Sequence, residues 1–395
     1  MKEAKRNLVF SLMLAGLLTS CSSDADDATK TGLPTTAGAA VSDYAQIVEA
    51  TYADAAGDAE ELDSAVQAFV TAPSEASLKT ARAAWIAARE TYLQSEVFRF
   101  YDGPIDNADN GPEGMINAWP LDEAYIDYVE GDASAGIIND PSTSIDTETL
   151  MSLNEQGGEE NIATGFHAIE FLLWGQDFSA TGPGDRSYQD YLVGAGASAA
   201  NGDRRGKYLT TVSELLAFQL AQILDAWRDN GTYRTEMIAA DPADGLRRIL
   251  TGMIVLSGFE TGGERLQTAL DSGDQEDEHS CFSDNTHRDM VQDVQGIQNV
   301  WLGSYTGRGG TELRGVGIQQ VVQDADPALA QQVTEKIAAS LALANALQPP
   351  FDQEIALGNT AGRARVEALI VSLREQEKLL EQVFRKLNLD IPQPE

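Results

Sequence analysis

A histidine and a glutamate three residues apart interrupt an otherwise apolar stretch of the chain, GFHAIEFLLWG at residues 165–175. Residues three apart lie on one face of a helix, so the imidazole of His167 and the carboxylate of Glu170 can reach the same cation. Pairs of this spacing, in the reverse order, supply ligands in di-iron carboxylate bundles. The alternative to a metal site is that His167 and Glu170 only form a hydrogen bond with each other inside a buried helix. The stretch is not the HExxH motif of zinc proteases, which needs two histidines four residues apart.

The helix that must carry this pair is predicted to be buried over a wide arc. One stripe of residues at helical spacing is apolar, and the neighbouring stripe contains the histidine and the glutamate. The first stripe consists of Ile162, Phe166, Ile169 and Leu173, and the second of Ala163, His167, Glu170 and Trp174. Both polar side chains are therefore expected to project together from the helix.

A second polar pair lies on a helix predicted over residues 75–100. Trp85, Tyr92 and Arg99 are spaced by seven residues, which places them on one face. Glu96 lies three residues before Arg99 and shares that face. An isolated buried charge is very unfavourable, so Glu96 and Arg99 must be paired or bound to a ligand.

The other two histidines lie in one acidic segment, DQEDEHSCFSDNTHRD at residues 274–289. Its polar residues include His279, Ser283 and Asp284, which are candidates to line a site. A solvated loop in which Ser283 or Asp284 caps the next helix is the alternative interpretation. Cys281 lies between the two histidines, but no spacing fixes the geometry that a thiol nucleophile needs.

The N-terminus is predicted to be a lipoprotein leader. A basic start and an apolar run too short to span a bilayer are typical of a signal peptide, here residues 1–20. The sequence Leu-Thr-Ser-Cys that follows has the form of a bacterial lipobox, so cleavage leaves Cys21 as a lipidated N-terminus. Ser22 after this cysteine favours sorting of the lipoprotein to the outer membrane. The alternative to a lipoprotein leader is an ordinary secretory signal. Residues 21–40, rich in small and polar residues, are expected to form a flexible tether.

The charge balance is strongly acidic, with 62 acidic and 27 basic residues and a net charge of −35. This excess argues against a nucleic-acid partner. An acidic surface can concentrate cations, but it is more often a solubility device, so charge alone does not decide the function. Once Cys21 is lipidated, Cys281 is the only thiol, and no internal disulfide is expected. No further apolar run is long enough to predict a transmembrane helix.

The rest of the chain is predicted to be helical almost throughout. Stretches rich in Ala, Glu, Leu and Gln cover residues 43–71 and 75–100, with a break at Pro73 and Ser74 as the N-cap of the second. The segments between helices are longer than typical bundle loops, and loops of that length are often functional. These segments are 103–114, 131–145, 179–206 and 271–286.

Later helices are marked by two Asp-Pro pairs and by a periodic apolar pattern. Asp241-Pro242 and Asp326-Pro327 each place an N-cap residue before a proline at the first helical position. The last helix repeats apolar residues at spacings of three, four and seven. These residues are Val366, Ile370, Leu373, Leu380, Val383 and Leu387. The pattern predicts an all-α protein of two packed helical bundles, residues 41–240 and 241–395.

Four ordered stretches of the chain share a pattern with a known family. They are ARAAWIAARETYLQSEVFRFYDGPID at 81–106, GFHAIEFLLWG at 165–175, EDEHSCFSDNTHRD at 276–289 and PPFDQEI at 349–355. Together they resemble the imelysin-like family, specifically its iron-regulated exported members, including the GxHxxE motif at Gly165, His167 and Glu170. The resemblance implies two four-helix bundles, a cleft that holds the motif, and a role in iron acquisition facing the periplasm or the cell surface. The family's founding activity is that of a metallopeptidase, although many members have no demonstrated protease activity.

An internal duplication, proposed for this family, has faint support in the sequence. SGFETGGERL at 257–266 resembles TGFHAIEFLL at 164–173. The second copy has Glu260 where the first has its histidine, and Gly263 where the first has its glutamate. A second identical metal site is therefore not expected, and Glu260 is instead a candidate to face the same cleft.

The residues and the resemblance together predict an exported, lipid-anchored, iron-regulated protein that binds a metal ion or an iron chelate in iron uptake. Other iron-uptake proteins and the membrane, through the lipid on Cys21, are the expected partners. The predicted ligands are His167, Glu170 and Glu96. Imidazole and carboxylate suit iron, zinc or manganese, so the choice of iron rests on the resemblance. The other predicted cleft residues are Arg99, which would orient a carboxylate or contact an anionic chelator, and Asp106, Glu260, His279, Ser283 and Asp284.

Two other function classes stay open. A zinc peptidase would need a free carboxylate beside the metal as general base, a role that falls to Glu96 or Glu260. A non-catalytic docking lipoprotein would use the GxHxxE motif only for packing. No catalytic residue is assigned on the sequence.

Overall fold

Helices make up most of the structure, a computed structural model that describes residues 32–389. The predicted leader, Cys21 and residues 22–31 of the tether lie outside the described residues. The helices of the first half are α1 (Ala37–Thr71), α2 (Glu75–Tyr92), α3 (Glu113–Ile116), α4 (Glu123–Ile126), α5 (Gly136–Asn139), α6 (Thr147–Leu153), α7 (Gly165–Trp174) and α8 (Gly202–Trp227).

Residues 232–389 add eight α-helices and one pair of short strands. The helices are α9 (Thr232–Ala239), α10 (Pro242–Ile254), α11 (Leu266–Ser272), α12 (Thr286–Leu302), α13 (Ile318–Ala325), α14 (Pro327–Ala344), α15 (Phe351–Ile355) and α16 (Thr360–Lys386). Strands β1 (Ser304–Thr306) and β2 (Glu312–Arg314) pair antiparallel, with Tyr305 opposite Leu313. The predicted all-α class is confirmed.

The three predicted helix starts are confirmed, because each has a local capping signal. Ser74 and Ser77 form a capping box in which each hydroxyl accepts the other's backbone N–H, at 3.2 and 3.1 Å. Carboxylate oxygens of Asp241 and Asp326 accept backbone N–H groups two and three residues further on, at 2.9 and 3.1 Å. Each of these aspartates is followed by a proline in the first turn.

The second predicted helix ends earlier than expected. α2 stops at Tyr92, Leu93–Phe98 forms 3₁₀ turns, and Arg99 is extended. The hydroxyl of Ser95 donates to the carbonyl oxygen of Tyr92 at 2.6 Å. Such a side-chain bond competes with helical backbone bonding. The helix predicted over residues 75–100 is therefore wrong in its last turns.

A π-helical segment, Val255–Arg265, joins α10 to α11. Within it the hydroxyl of Ser257 donates to the carbonyl oxygen of Met253 at 2.7 Å. π-Helical turns are rare and often occur at functional sites. The segment contains most of the stretch that resembles α7, which is itself a regular α-helix. The internal duplication therefore stays a prediction.

α7 lies within the helical packing, and all ten of its residues are buried. Helix α1 packs along α2 and α8, and α7 contacts the same two helices. Helix α12 packs across the 3₁₀ turns that follow α2 and against α14, which in turn packs against α16. The motif helix therefore packs against helices of the first half, and the segment before α12 also reaches it through Ser283 and His279.

The main hydrophobic cluster also draws residues from both halves, from Ala37 to Leu389. A smaller cluster surrounds Leu266, Phe351 and Val366, which belong to α11, α15 and α16. The domain boundary predicted at residue 240 stays a prediction. Within residues 32–389 no helix is both long and apolar enough to cross a bilayer.

Candidate functional site

The backbone requires the glycine that opens the GxHxxE motif. Gly165 is the first residue of α7 and has a φ of +86°. A Cβ atom at this position would lie 2.5 Å from the carbonyl oxygen of Ile116 in α3. Only glycine tolerates both a positive φ and so close a carbonyl oxygen without strain. Gly165 therefore lets α7 begin directly against α3.

His167 and Glu170 form a buried pair on one face of α7. Nδ1 of His167 lies 3.0 Å from Oε2 of Glu170, as the spacing of three predicts. The two residues are 1% and 0% exposed. Nε2 of His167 is also buried, and no hydrogen-bond partner from residues 32–389 reaches it. The pair therefore presents one unsatisfied imidazole nitrogen to the protein interior.

Ser283 fixes the other oxygen of Glu170. Its backbone N–H and its hydroxyl donate to Oε1 at 2.9 and 2.7 Å. Burial raises the pKa of Glu170 to about 8 and lowers the pKa of His167 well below its ordinary value. Near neutral pH both groups are therefore uncharged. In that state the carboxylic acid donates from Oε2 to Nδ1 of His167, and the imidazole proton lies on Nε2.

His279 lies directly beside His167. The two ring centroids are 4.9 Å apart and the ring planes meet at 69°. Nδ1 of His279 bonds Asp289 at 2.7 Å, and the Trp119 ring packs against the imidazole at 5.8 Å. Burial lowers the pKa of His279 to about 4, so this ring is neutral near pH 7. The structure thus brings His279 and Ser283 to the motif.

Asp289 is the acidic centre on the His279 side of the site. Its Oδ2 accepts from the hydroxyl of Ser280 at 2.6 Å and from the guanidinium of Arg89 at 3.1 Å. Its Oδ1 accepts from the amide of Asn285 at 3.0 Å. Burial acts to raise the pKa of Asp289, but the Arg89 guanidinium holds it far below its usual range. Arg89 and Asp289 are therefore a fully buried ion pair.

Arg89 and Asp289 are site residues that the spacing arguments above miss. Arg89 lies four residues after Trp85 and three before Tyr92, on the buried stripe of α2. Asp289 and Asp293 lie four apart on the buried face of α12. The signal in each case is a charged residue at a position where the helical period expects an apolar one.

Glu96 is held by two arginines and makes no hydrogen bond to His167 within the described part of the chain. Its Oε2 accepts from Arg99 at 2.7 Å and from Arg265. Burial acts to raise the pKa of Glu96, but the two arginines lower it to about 2. Arg99 also pairs with Glu113 at 2.9 Å. Glu96 and Arg99 are thus paired as predicted, and the hydrogen bonds of Glu96 go to arginines and not to the GxHxxE pair.

Arg265 joins three carboxylates in one ionic cluster. It donates to Asp293 and Glu260, each at 3.0 Å, and to Glu96. One guanidinium does not compensate three acids fully, and burial raises the pKa of Asp293 to about 7 despite Arg265. A zinc peptidase would need a free carboxylate as base. The two residues predicted for that role, Glu96 and Glu260, are both bonded to Arg265 instead.

Asp106 and Asp284 have different surroundings. Asp106 closes a turn by accepting the backbone N–H groups of Phe100 and Gly103, the latter at 2.7 Å. Asp284 follows Ser283 with a φ of +58°, and one of its carboxylate oxygens is buried without a partner. Asp106 is therefore a structural residue of its loop, whereas Asp284 belongs to the segment that reaches the motif.

The donor set at the motif is small. Within residues 32–389, no three His, Cys, Asp or Glu side chains stand where they could hold a metal ion. Both oxygens of Glu170 are already hydrogen-bonded, whereas Nε2 of His167 is not. The motif is also enclosed, since His167 is 1% exposed, and does not line an open cleft. A metal at this point would therefore take one imidazole nitrogen and complete its coordination with water or a chelator.

Stability should fall as the pH rises from about 6.5 to about 8. The folded pKa of Glu170 is about 8 against an ordinary value of 4.5, so in this range the folded state holds a proton that the unfolded state has lost. His167 and His279 oppose this trend mainly below about 6.5, where the unfolded imidazoles gain protons. Urea denaturation across this range should show a shallower decline for Glu170→Gln than for the wild type. Equal slopes in the two proteins would show that Glu170 is already ionised.

Comparison with known proteins connects this arrangement to named relatives. Residues 48–380 match the peptidase family model described as Imelysin. Iron-regulated protein A of Synechococcus elongatus is 26% identical over 321 residues, which cover 79% of this chain and 76% of that protein.

Two solved structures share the fold. One is described as an iron-regulated protein A precursor from Parabacteroides distasonis ATCC 8503, with a TM-score of 0.69 and 20% identity over 90% of this chain and 97% of that one. The other is an imelysin-like protein from Psychrobacter arcticum 273-4, with a TM-score of 0.62 and 14% identity over 92% and 99%. Since the family match spans most of its length, the chain belongs to the imelysin family.

Proposed function

We propose that this chain is an exported iron-regulated protein that binds a metal ion or a metal complex through His167 as part of iron uptake. The observation that carries the proposal is the buried Nε2 of His167, which has no hydrogen-bond partner in the described part of the chain. A buried polar atom without a partner is unfavourable, so a ligand that satisfies it is stabilised. The name iron-regulated protein A, borne by a relative and by a solved structure of the same fold, supports iron as the metal concerned.

Glu170 and Ser283 would position the histidine. An imidazole that binds a metal through Nε2 must carry its proton on Nδ1, and a carboxylate bonded to that proton orients the ring. Oε2 of Glu170 is the group in place for this role, and Ser283 anchors the opposite oxygen. Because the pair holds two protons near neutral pH, binding should release about one proton. Glu170 then acts on the metal through His167 rather than as a ligand itself.

Iron and zinc are both compatible with Nε2 of His167 as a ligand. Imidazole nitrogen binds either metal, and the preference for iron rests on the relatives. The small donor set favours a metal that brings other ligands, such as an iron chelate. The lipobox ending at Cys21 supports lipid anchoring, with the outer membrane as the favoured location, and other iron-uptake proteins as partners there.

Metal should stabilise the folded protein, and His167→Ala should remove most of the effect. Binding to the folded state alone adds about 2.7 kcal/mol when free metal is about a hundredfold above the dissociation constant. Thermal unfolding with ferric, ferrous and zinc salts measures this shift. Circular dichroism should show that His167→Ala keeps its helices, since alanine suits a helix. His287→Ala is the matched control and should keep the metal-dependent shift, because the hydrogen bond of the His287 ring is to the backbone carbonyl of Asp284 and not to the motif.

The same proteins distinguish the alternatives. A wild type without any metal-dependent shift contradicts direct binding, and an unaltered shift in His167→Ala moves the metal to another site. The peptidase alternative requires that wild type with zinc cleave an unfolded polypeptide and that His167→Ala fail to do so. A docking lipoprotein would show neither effect.

A further inference from the structure

A surface groove of about 1140 Å³ lies beside the long loop predicted at residues 103–114. This loop lines the groove together with residues of α6, the C-terminal half of α8 and the start of α9. Neither His167 nor Glu170 is among the lining residues. Sites for small organic ligands have volumes of roughly 300–1,000 Å³. The groove therefore has room for a ligand of several linked rings.

The loop wall of the groove is held in shape by its own hydrogen bonds. The side chain of Asn107 donates to the carbonyl oxygen of Gly103 at 3.2 Å and accepts the backbone N–H of Asn110 at 3.0 Å. The N–H of Glu113 donates to the carbonyl oxygen of Ile105 at 2.9 Å. A preformed wall lowers the entropic cost of ordering the protein around a ligand.

Gln219 supplies the groove with a polar side chain that has an unused acceptor. It lines the groove and is 3% exposed. Its Oε1 is buried, and no hydrogen-bond partner from residues 32–389 reaches it. Its Nε2 donates to Sδ of Met115 at 3.6 Å, and a thioether is a weak acceptor. A buried amide without full partners is unfavourable, so a ligand hydroxyl that bonds this amide is favoured.

Phe218, the neighbour of Gln219 on α8, gives the groove an exposed aromatic ring. It lines the groove and is 59% exposed, and Met151 of α6 adds an apolar side chain that is 36% exposed. Tyr233 contributes a second, partly exposed ring to the lining. A flat aromatic face packs against the C–H groups of a ligand ring and removes both surfaces from water. The groove thus combines a polar amide with an apolar ring face.

The remaining polar lining consists mainly of uncharged groups that can both donate and accept hydrogen bonds. They are the amides of Asn110, Gln222 and Asn230 and the hydroxyls of Thr147 and Thr232. Among the lining residues that the structure describes, Arg228 is the only basic one, and it pairs with Asp225 at 3.3 Å. Asp109 and Glu236 add carboxylates, which accept hydrogen bonds from hydroxyls. An anionic ligand is therefore disfavoured, and a ligand without polar groups would leave the amides unused.

We propose that this groove binds a neutral oligosaccharide, with Phe218 packed against one sugar ring and Gln219 bonded to its hydroxyls. Each sugar hydroxyl donates and accepts at once, which matches an amide side chain. A peptide backbone fits less well, because each of its polar groups only donates or only accepts. The C–H face of the sugar ring matches the exposed aromatic ring. The site is separate from His167, and the proposal does not depend on metal binding there.

Saturation-transfer NMR titrations of the mature protein with maltotetraose, cellotetraose and chitotetraose test this proposal. We expect binding of at least one of these neutral sugars at millimolar concentration. Phe218→Ala should weaken that binding about tenfold, because it removes the ring against which the sugar packs. Gln219→Leu should also weaken it without lowering the free energy of unfolding, because an apolar side chain of similar size replaces an amide that lacks a partner.

Phe178→Ala is the matched control, since Phe178 is 70% exposed on a different loop and does not line the groove. Phe178→Ala and His167→Ala should both bind the sugar as the wild type does. The absence of transfer to all three sugars, or equal binding by Phe218→Ala and the wild type, would overturn the proposal. Binding of tetra-alanine in place of the sugars would also overturn it and assign the groove to peptides.

Discussion

Replacing Arg265 with methionine should lower the free energy of unfolding by about 3–5 kcal/mol, the loss expected when one partner of a buried ion pair is removed. The Arg265 side chain is 2% exposed, and its guanidinium bonds Glu96, Glu260 and Asp293. Methionine fills a similar volume but leaves Glu96 and Asp293 short of positive charge in the interior. Chemical denaturation of the wild type and Arg265→Met measures the difference directly.

Arg99→Met is the matched control, and it should destabilise the protein less than Arg265→Met. Arg99 is 11% exposed, and Glu96 keeps its bond to Arg265 when Arg99 is removed. Adding Glu96→Gln and Asp293→Asn to Arg265→Met should restore part of the lost stability, because the stranded charges are then gone. Two results would show that Arg265 does not hold the cluster together. One is an equal loss of unfolding free energy in the two arginine variants, and the other is a triple variant that regains no stability.

Asp127→Asn should have an effect of similar size, about 3–5 kcal/mol, because it removes the carboxylate charge that pairs with two buried arginines. Oδ2 of Asp127 accepts from Arg186 at 2.7 Å and from Arg205 at 2.6 Å, and Oδ1 accepts from Arg205 at 2.9 Å. Arg186 also bonds the end of α7, since its backbone N–H donates to the carbonyl oxygen of Trp174 at 2.7 Å. The substitution should therefore loosen the C-terminal end of the motif helix.

Hydrogen exchange and chemical denaturation test this second prediction together. Asp127→Asn should lower both the unfolding free energy and the protection of amides at the end of α7. Glu130→Gln makes the same chemical change at an exposed position three residues away and should alter neither. Full protection at the end of α7 in Asp127→Asn would mean that the arginines find other partners without loss.

Local signals made part of the fold predictable. A serine or aspartate cap acts within three residues, so the starts at Ser74, Asp241 and Asp326 can be read from the sequence. The end of α2 is set by the side chain of Ser95, whose bond to the backbone competes with a sequence of good helix formers. The π-helical segment after α10 has no comparable signal.

Part of the candidate site can likewise be predicted from local spacing, and part of it cannot. His167 and Glu170 meet because a spacing of three is a property of the helix itself. The second arginine on Glu96 lies 169 residues further along the chain, and no periodicity within α2 identifies it. Arg89 interrupts the apolar stripe of α2, which is the same kind of signal that marks Glu96. Which distant carboxylate pairs with such a charge is decided by tertiary packing.

Anomalous diffraction from crystals soaked with ferric salts, and in parallel with zinc salts, tests the central proposal most directly. The proposal predicts a peak about 2.0–2.1 Å from Nε2 of His167, the usual length of a zinc–imidazole bond and a guide for iron. Nδ1 should remain bonded to Glu170, and the peak should be absent in His167→Ala crystals. Metal bound only at other residues, or an Nε2 atom without any nearby density at saturating metal, would contradict it.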